Sequence, residues 1–310
     1  MPAHKYTTMQ ICIICILGFM LGLEVLLQRP EWFNGKNSNE LYTSLVRGNG
    51  AGQISAKRVA ETFITLGSAT SAQDSGFFDY ILPIFRTATG LGVHVEAVGT
   101  GRALAIGARG DLDALLVHDR VGENKFVENG DGIDRRNLMY NDFVIVGPSS
   151  DPADIRRFKL ARMAFAAIAA KGALFASRGD DGGTYRMERR LWKLAGVEPL
   201  GQAWYPDLDQ GIGATLNFAA ALNAYTLTDR AAWANFKSRQ NLEILMEGDP
   251  ILFNPYGSIL MNPAKWPQVK FSEAQTWQEW LTSKAGLAAI TSYRINGEQD
   301  FFPPLSDATN

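Results

Sequence analysis

The stretch that decides the fold covers residues 59–87 and reads VAETFITLGSATSAQDSGFFDYILPIFRT. Residues 59–66 have the composition of a short strand, and residues 67–76 form a hydroxyl-rich turn. Apolar side chains then recur at helical spacing over residues 77–87, and Gly90 is a typical helix end. A strand, a turn and a helix in this order predict an α/β fold.

The same order recurs along the rest of the chain, which predicts mostly parallel sheets flanked by helices. We expect further strands at residues 93–98, 113–117, 142–148, 173–176 and 225–228. We expect further helices at residues 102–108, 161–171, 185–195, 211–223 and 271–283. In the last of these, Trp277 and Trp280 are expected on the face that packs against the core.

The composition is that of a folded globular protein. The 310 residues are 46% hydrophobic and 20% charged, with 30 basic and 32 acidic side chains. This balance excludes a disordered or collagenous chain and leaves no basic excess for nucleic acid. The three histidines show no ligand spacing, and the nucleophile-elbow and P-loop motifs are missing. We therefore expect no enzyme, no metal and no cofactor. The pair Asp180-Asp181 is interpreted as helix N-terminal acids, with a metal-binding or acid–base couple as the alternative.

The N-terminal segment has the pattern of an export signal. Residues 11–23 read ICIICILGFMLGL, an apolar run of 13 residues that contains both cysteines. This length suits a signal peptide, but no small-residue cleavage site follows, so an uncleaved membrane anchor is an equal alternative over residues 1–28. A buried N-terminal helix of a cytosolic protein is the third interpretation. Residues 29–58 are rich in Gly, Asn and Ser and predict a flexible tether.

The junctions between strands and helices carry groups that suit an anion. A helix N-terminus offers unpaired N–H groups and a partial positive charge, and hydroxyl groups add rotatable donors. The candidate ligand-binding residues at these junctions are Ser68, Thr70, Ser71, Thr100, Gly101, Arg178, Thr184 and Thr215. Helix capping alone explains any one junction. Their recurrence in one chain favours a single shared oxyanion site.

The ordered motifs resemble those of solute-binding proteins of tungstate ABC importers. The likeness runs through residues 68–71, 98–101, 115–118, 139–148, 177–184, 224–230 and 254–256. The resemblance implies a two-lobed periplasmic-binding-protein fold of type II that closes by a hinge over a tetrahedral dianion. Lobe 1 would comprise residues 59–148 plus 252–310, and lobe 2 residues 149–251. It also implies a monomer outside the cytoplasm, in the periplasm or on the outer face of the membrane. Its partners would be an ABC permease and the oxyanion, with Arg178 as the full positive charge at the site.

Three departures from the family pattern bear on specificity. Ala69 stands where the family has a hydroxyl residue, and Arg102 stands where a neutral amide is expected. Tyr185 stands where histidine is frequent, and Gly182 replaces a serine. The same module could take molybdate, sulfate or phosphate instead of tungstate, and phosphate would favour a buried acidic acceptor such as Asp181. A membrane-tethered anion sensor is the alternative from another class of function.

Overall fold

The computed structural model of the protein describes residues 62–305. The predicted signal peptide or anchor (1–28) and the predicted tether (29–58) lie outside the described residues. Among the helices of residues 62–305, none combines the length and the apolar composition needed to cross a bilayer.

Strands and helices alternate through the described part of the chain, as the sequence predicts. The strands are β1 (Phe63–Ala69), β2 (Gly92–Val98), β3 (Ala114–Val117), β4 (Gly132–Pro148), β5 (Thr226–Asp229), β6 (Leu242–Met246) and β7 (Phe253–Met261). The α-helices are α1 (Thr70–Asp74), α2 (Phe77–Thr89), α3 (Thr100–Gly107), α4 (Arg120–Glu128), α5 (Ala161–Lys171), α6 (Gly183–Leu194), α7 (Ile212–Leu222), α8 (Arg230–Asn235), α9 (Phe271–Thr282) and α10 (Lys284–Ser292). Short 3₁₀ turns span Ile155–Arg157 and Pro250–Leu252.

The strands form one connected path in the order β2-β1-β3-β7-β4-β5, and β6 pairs with β4 off this path. The α/β class with helices flanking the sheet is confirmed. The strand directions correct the expectation of mostly parallel sheets: β1 is parallel to β2 and β3, but the other described pairs are antiparallel. The reason is that β4 and β7, which connect the two halves of the sheet, run against each of their neighbours.

The long strand β4 belongs to both halves of the sheet. Its residues Gly132 to Asp142 pair with β7, and Asp142 lies opposite Phe253. The next residue, Phe143, already pairs with Asp229 of β5. The change of partner therefore falls between two adjacent residues of one continuous strand. The lobe boundaries at 148/149 and 251/252 stay a prediction.

Both faces of the sheet are covered, because successive side chains of a strand point to opposite faces. In β3, Leu116 joins a core with Phe77 and Trp277, whereas its neighbour Leu115 packs on the other face with Phe126. Trp277 is fully buried, and Trp280 is partly buried against the same core, as expected.

The second half of the sheet repeats this arrangement. In β4, Phe143 and Ile145 pack in a core with Trp192, while Val144 lies in the opposite core with Trp233. The predicted strand 173–176 is wrong, because this segment contributes only an isolated parallel bridge between Phe175 and Tyr225. Each half of the sheet is therefore covered by a core on both faces. The ends of the strands are not part of these faces, and the candidate site lies at these ends.

Candidate anion-binding site

The first part of the site lies where parallel strands end side by side. Strand β1 ends at Ala69, which pairs with Val98 at the end of β2, and Ser68 pairs with Leu116 of β3. Helix α1 begins directly after β1, and α3 begins directly after the glycine that follows β2. In α/β sheets the crevice at the carboxyl ends of the strands is where ligands bind. The segments 68–71 and 99–101, predicted as turns, are therefore neighbours, although Ser68 and Ala69 are the last residues of β1 and not part of a turn.

The turn before α6 brings Arg178 to these strand ends. The guanidinium is 2% exposed and donates from Nη2 to Thr70 Oγ1 at 3.0 Å and from Nη1 to Thr184 Oγ1 at 3.3 Å. Nη2 also contacts the carboxylate of Asp180 in an ion pair. Two of the predicted residues, Thr70 and Thr184, thus bind the same buried cation, although they lie more than 100 positions apart in the chain.

The acid pair does not act as helix N-terminal acids, because both residues precede the N-cap Gly182 of α6 and pair with arginines. Asp180 pairs with Arg178, and its Oδ1 accepts from the amide of Gly182 at 3.1 Å. Asp181 receives Nε and Nη2 of Arg186 at 2.8 and 2.9 Å. Each carboxylate therefore has a structural partner.

Arg186 also connects the two parts of the chain. Its Nη1 donates to Asp119 Oδ2 at 2.7 Å, and Arg190 contacts the other oxygen of the same carboxylate. Although burial opposes it, hydrogen bonds from the two arginines hold the pKa of Asp119 below its usual value. Segments 62–148 and 149–251 thus meet through ion pairs as well as through Arg178.

Two glycines allow the backbones to approach closely. A Cβ atom on Gly99 would lie 2.5 Å from the carbonyl oxygen of Asp180, and one on Gly183 would lie 2.8 Å from Cε1 of His118. Real Cβ contacts do not reach such distances, so neither position accepts alanine without a shift. The amide of Gly101 donates to the carbonyl oxygen of Asp181 at 3.1 Å across the same contact. Gly101 therefore binds the opposite turn in this arrangement.

Several predicted hydroxyl groups already have partners within the fold. Ser68 Oγ donates to the carbonyl oxygen of Leu116 at 2.6 Å, and Thr215 Oγ1 donates to that of Gly211 at 3.0 Å. Ser71 Oγ lies 2.9 Å from Nε2 of His118. These three side chains are buried. Their hydroxyl groups already make hydrogen bonds within the fold.

Two of the predicted ligand-binding residues keep a buried donor that has no such partner. Within residues 62–305, Thr100 Oγ1 and Arg178 Nε are buried and make no hydrogen bond. Buried polar groups are satisfied in the great majority of cases, and an exception calls for an explanation. A hydroxyl and a guanidinium N–H suit an oxyanion, which is a multiple acceptor.

The structure locates the departures from the family pattern. Ala69 is 3% exposed at the N-cap of α1, and Arg102 is an exposed residue of α3. Tyr185 is half-buried, and burial with the charge of Asp207 raises the pKa of its phenol. Arg102 therefore adds charge at the surface, while Ala69 lies next to Thr70.

Sequence reasoning did not assign His118, Asp119 or Arg186 to the site. His118 follows β3 directly, so its position at the same strand end as Ala69 and Val98 was the available signal. Nothing in the sequence marked Asp119 and Arg186 as site residues, because they lie 67 positions apart in the chain and meet only in the folded structure.

Comparisons with known proteins identify the family of the chain. Residues 49–285 match the PBP superfamily domain. The chain is 39% identical to the tungstate-binding protein TupA of Peptoclostridium acidaminophilum over 80% of this chain and 86% of the relative.

Two solved structures are similar in sequence and in shape. A tungstate ABC transporter structure from Geobacter sulfurreducens is 46% identical, with a TM-score of 0.68 over 74% of this chain and 98% of that one. The tungstate-binding protein TupA from Desulfovibrio alaskensis is 40% identical, with a TM-score of 0.67 over 79% of this chain and 100% of that one. The chain therefore belongs to the PBP superfamily and, within it, to the family that includes the tungstate-binding proteins TupA.

Proposed function

We propose that this protein captures tungstate, as a tetrahedral dianion, and delivers it to the permease of an ABC importer. The anion would bind between the turns 68–71 and 99–101 on one side and the turn 177–184 on the other. The predicted ligand-binding residues Ser68, Thr70, Ser71, Thr100, Gly101, Arg178, Thr184 and Thr215 all lie in or next to these turns and the first turn of α7.

One observation carries the proposal. The guanidinium of Arg178 is buried, it keeps an Nε donor without a partner among the described residues, and it lies against hydroxyl groups from two parts of the chain. Burial of a cation is costly unless an anion compensates it. Asp180 compensates one face of the guanidinium, and a dianion on the Nε side would receive charge-assisted hydrogen bonds.

Backbone donors add to this cation. Helices α3 and α6 begin after Gly99 and Gly182, and neither glycine offers a side chain that could cap the first-turn amides. Such helix N-termini favour negative charge. The site therefore supplies positive potential from two directions without a metal ion.

The similar proteins support the transport role. The relatives above carry the names tungstate-binding protein and tungstate ABC transporter. We infer an extracytoplasmic location, a permease partner and a binding rather than a catalytic role from this family membership. A monomeric state and the fate of the N-terminal segment, cleaved or kept as an anchor, stay predictions.

Phosphate is a weaker candidate than the fully deprotonated oxyanions. A protonated phosphate needs a carboxylate acceptor, and Asp181 was the candidate for that role. Its two oxygens pair with Arg186, and its side chain is 61% exposed. Asp181 is therefore not a buried acceptor for a protonated phosphate, whereas tungstate, molybdate and sulfate only accept hydrogen bonds and need no such acceptor.

Isothermal titration calorimetry of the purified protein with tungstate, molybdate, sulfate and phosphate tests the proposal. We expect one-to-one binding of tungstate with much weaker binding of sulfate and phosphate. Heat with none of the four anions would contradict the oxyanion site. Reconstitution with the permease then separates transport from sensing, because tungstate uptake into vesicles requires the importer role.

A further inference from the structure

A chain of buried polar side chains connects the turn of α1 with the strands β7, β4 and β5. Ser71 contacts His118, His118 contacts Asn254, and Asn254 contacts both Asn141 and Asp229. All five residues are at most 4% exposed. Because water does not reach these groups, the direction of every hydrogen bond is set by the partners themselves.

The directions follow from Asp229, which is surrounded by donors. Its Oδ1 accepts from Asn141 Nδ2 and from the amides of Ala231 and Ala232 at the start of α8. Its Oδ2 accepts from Asn254 Nδ2 at 2.9 Å and from the hydroxyl of Tyr256 at 2.7 Å. A carboxylate with five donors acts as an acceptor only.

The amide of Asn254 is thereby oriented. Its Nδ2 faces Asp229 and also donates to Asn141 Oδ1 at 2.7 Å, so both amide protons are used. Its Oδ1 must then face Nδ1 of His118, at 2.9 Å. An amide oxygen has no proton to give, so the hydrogen bond requires a proton on Nδ1 of His118.

The other imidazole nitrogen is then an acceptor. Burial, the largest effect, lowers the pKa of His118 against the opposing influence of Asp229 and Asp119, and nearby Arg178 lowers it further. A lowered pKa favours the neutral ring, which is stacked 4.8 Å from that of Tyr256, and a neutral ring with its proton on Nδ1 has a lone pair on Nε2. Ser71 Oγ, 2.9 Å away, must be the donor.

We propose that His118 is a positioning residue that carries its proton on Nδ1 and accepts a hydrogen bond from the hydroxyl of Ser71 at Nε2. Ser71 then points its proton into the core, and the α1 turn is fixed to the strands that connect the two halves of the sheet. This consequence rests on the proposed function: Ser71 binds the anion through its backbone N–H and not through its hydroxyl.

Tyr256 lies on the inner side of His118 and completes the network. Its hydroxyl donates to Asp229 Oδ2 at 2.7 Å, and its ring stacks on the imidazole. In an isolated neutral imidazole no neighbour decides which nitrogen carries the proton. In this network the amide oxygen of Asn254 places the proton on Nδ1.

Nitrogen-15 NMR of the imidazole tests the tautomer directly. The double substitution His4→Gln with His94→Gln leaves His118 as the only histidine, since the chain has three. We expect a protonated-type signal for Nδ1 and an unprotonated-type signal for Nε2 that stay unchanged from pH 8 to pH 6. A proton on Nε2, or an imidazolium in this range, would overturn the proposal.

Two substitutions test the positioning role. The side chain of His118→Gln offers an amide oxygen near the place of Nε2, whereas His118→Leu offers only apolar surface. We expect tungstate affinity within about threefold of the native protein for the glutamine variant and a loss of about tenfold or more for the leucine variant, as for a buried hydrogen bond without its partner. Equal losses, with circular dichroism showing both variants folded, would reduce His118 to a packing residue. If the native protein binds no tungstate, the proposed function fails, while the NMR result still decides the tautomer.

Discussion

Replacement of Arg178 by alanine is the sharpest test of the anion site. The substitution removes a guanidinium that is 2% exposed and contacts Thr70, Thr184 and Asp180. It also leaves the carboxylate of Asp180, whose side chain is 14% exposed, without its cation next to the proposed ligand. The variant therefore loses attraction and gains repulsion at the same place.

The expected magnitude follows from the number of bonds. A hydrogen bond to a charged group contributes about 1.5–3 kcal/mol, and the fork of Arg178 can give the anion two of them. Their loss, about 3–6 kcal/mol, weakens binding by about 10² to 10⁴-fold. The double variant Arg178→Ala with Asp180→Asn removes the uncompensated carboxylate as well, so we expect it to bind tungstate more tightly than the single variant.

Titration calorimetry of the native protein and of both variants measures these differences, with thermal unfolding as the check that each variant is folded. Arg156→Ala is the matched control, because Arg156 forms an exposed pair with Glu243 and should leave the dissociation constant unchanged. A dissociation constant of Arg178→Ala within about threefold of the native value, where the structure requires a hundredfold change, would refute the assignment. A double variant weaker than the single one would show that Asp180 helps the anion.

Three further predictions concern closure and stability. Gly99→Ala places a methyl group 2.5 Å from the carbonyl oxygen of Asp180, so calorimetry should show tungstate binding weaker by about tenfold or more, as for an overpacked contact of 1–3 kcal/mol; unchanged binding would mean that the two turns separate in solution. Burial raises the pKa of Glu188 to about 7 from 4.5, so the folded protein holds a proton that the unfolded chain has lost, and the free energy of unfolding should fall as pH rises from about 4.5 to 7. Glu188→Gln should remove its own share of this fall and be more stable than the native protein at pH 8 by roughly 3 kcal/mol in urea unfolding. The share of Glu123, whose pKa burial also raises to about 7, should remain. An unchanged pH profile would contradict the prediction. In Asp229→Asn, the amide NH₂ group faces some of the five donors that bind the native carboxylate. We expect the free energy of unfolding to fall by about 3 kcal/mol or more in the same urea measurement. Asp142→Asn, at a half-exposed carboxylate, should lower it by less.

The sequence predicted the elements whose signals are local. Helix α5 spans residues 161–171 as expected, and α2 ends at Gly90, whose φ of 76° is the left-handed conformation that glycine favours. The first half of β4 was missed, because residues 132–141 read GIDRRNLMYN and lack an apolar alternation. Its strand conformation comes from pairing with β7, more than 100 residues later in the chain, and such pairing leaves no local pattern.

The residues of the candidate site likewise fall into those that the sequence marked and those that it did not. Glycines and hydroxyl residues after strands marked the turns, and Arg178 stood out as a cation among them. The partners of these groups could not be predicted: Ser71 and His118 are 47 residues apart, and His118 and Asn254 are 136 apart. Hydrogen-bond direction in such a network depends on which side chains the fold brings together, and this is a property of tertiary structure.

The shared strand β4 constrains how this chain can change length during evolution. Insertion or deletion of one residue near Asp142 would rotate every later side chain of the strand to the opposite face, since the side-chain period is two. Phe143 and Ile145 would exchange places with Val144 and Val146, and two separate cores would lose their volume match at once. We therefore expect length variation among relatives to accumulate in loops such as residues 149–160 and 196–210, while β4 keeps a constant number of residues.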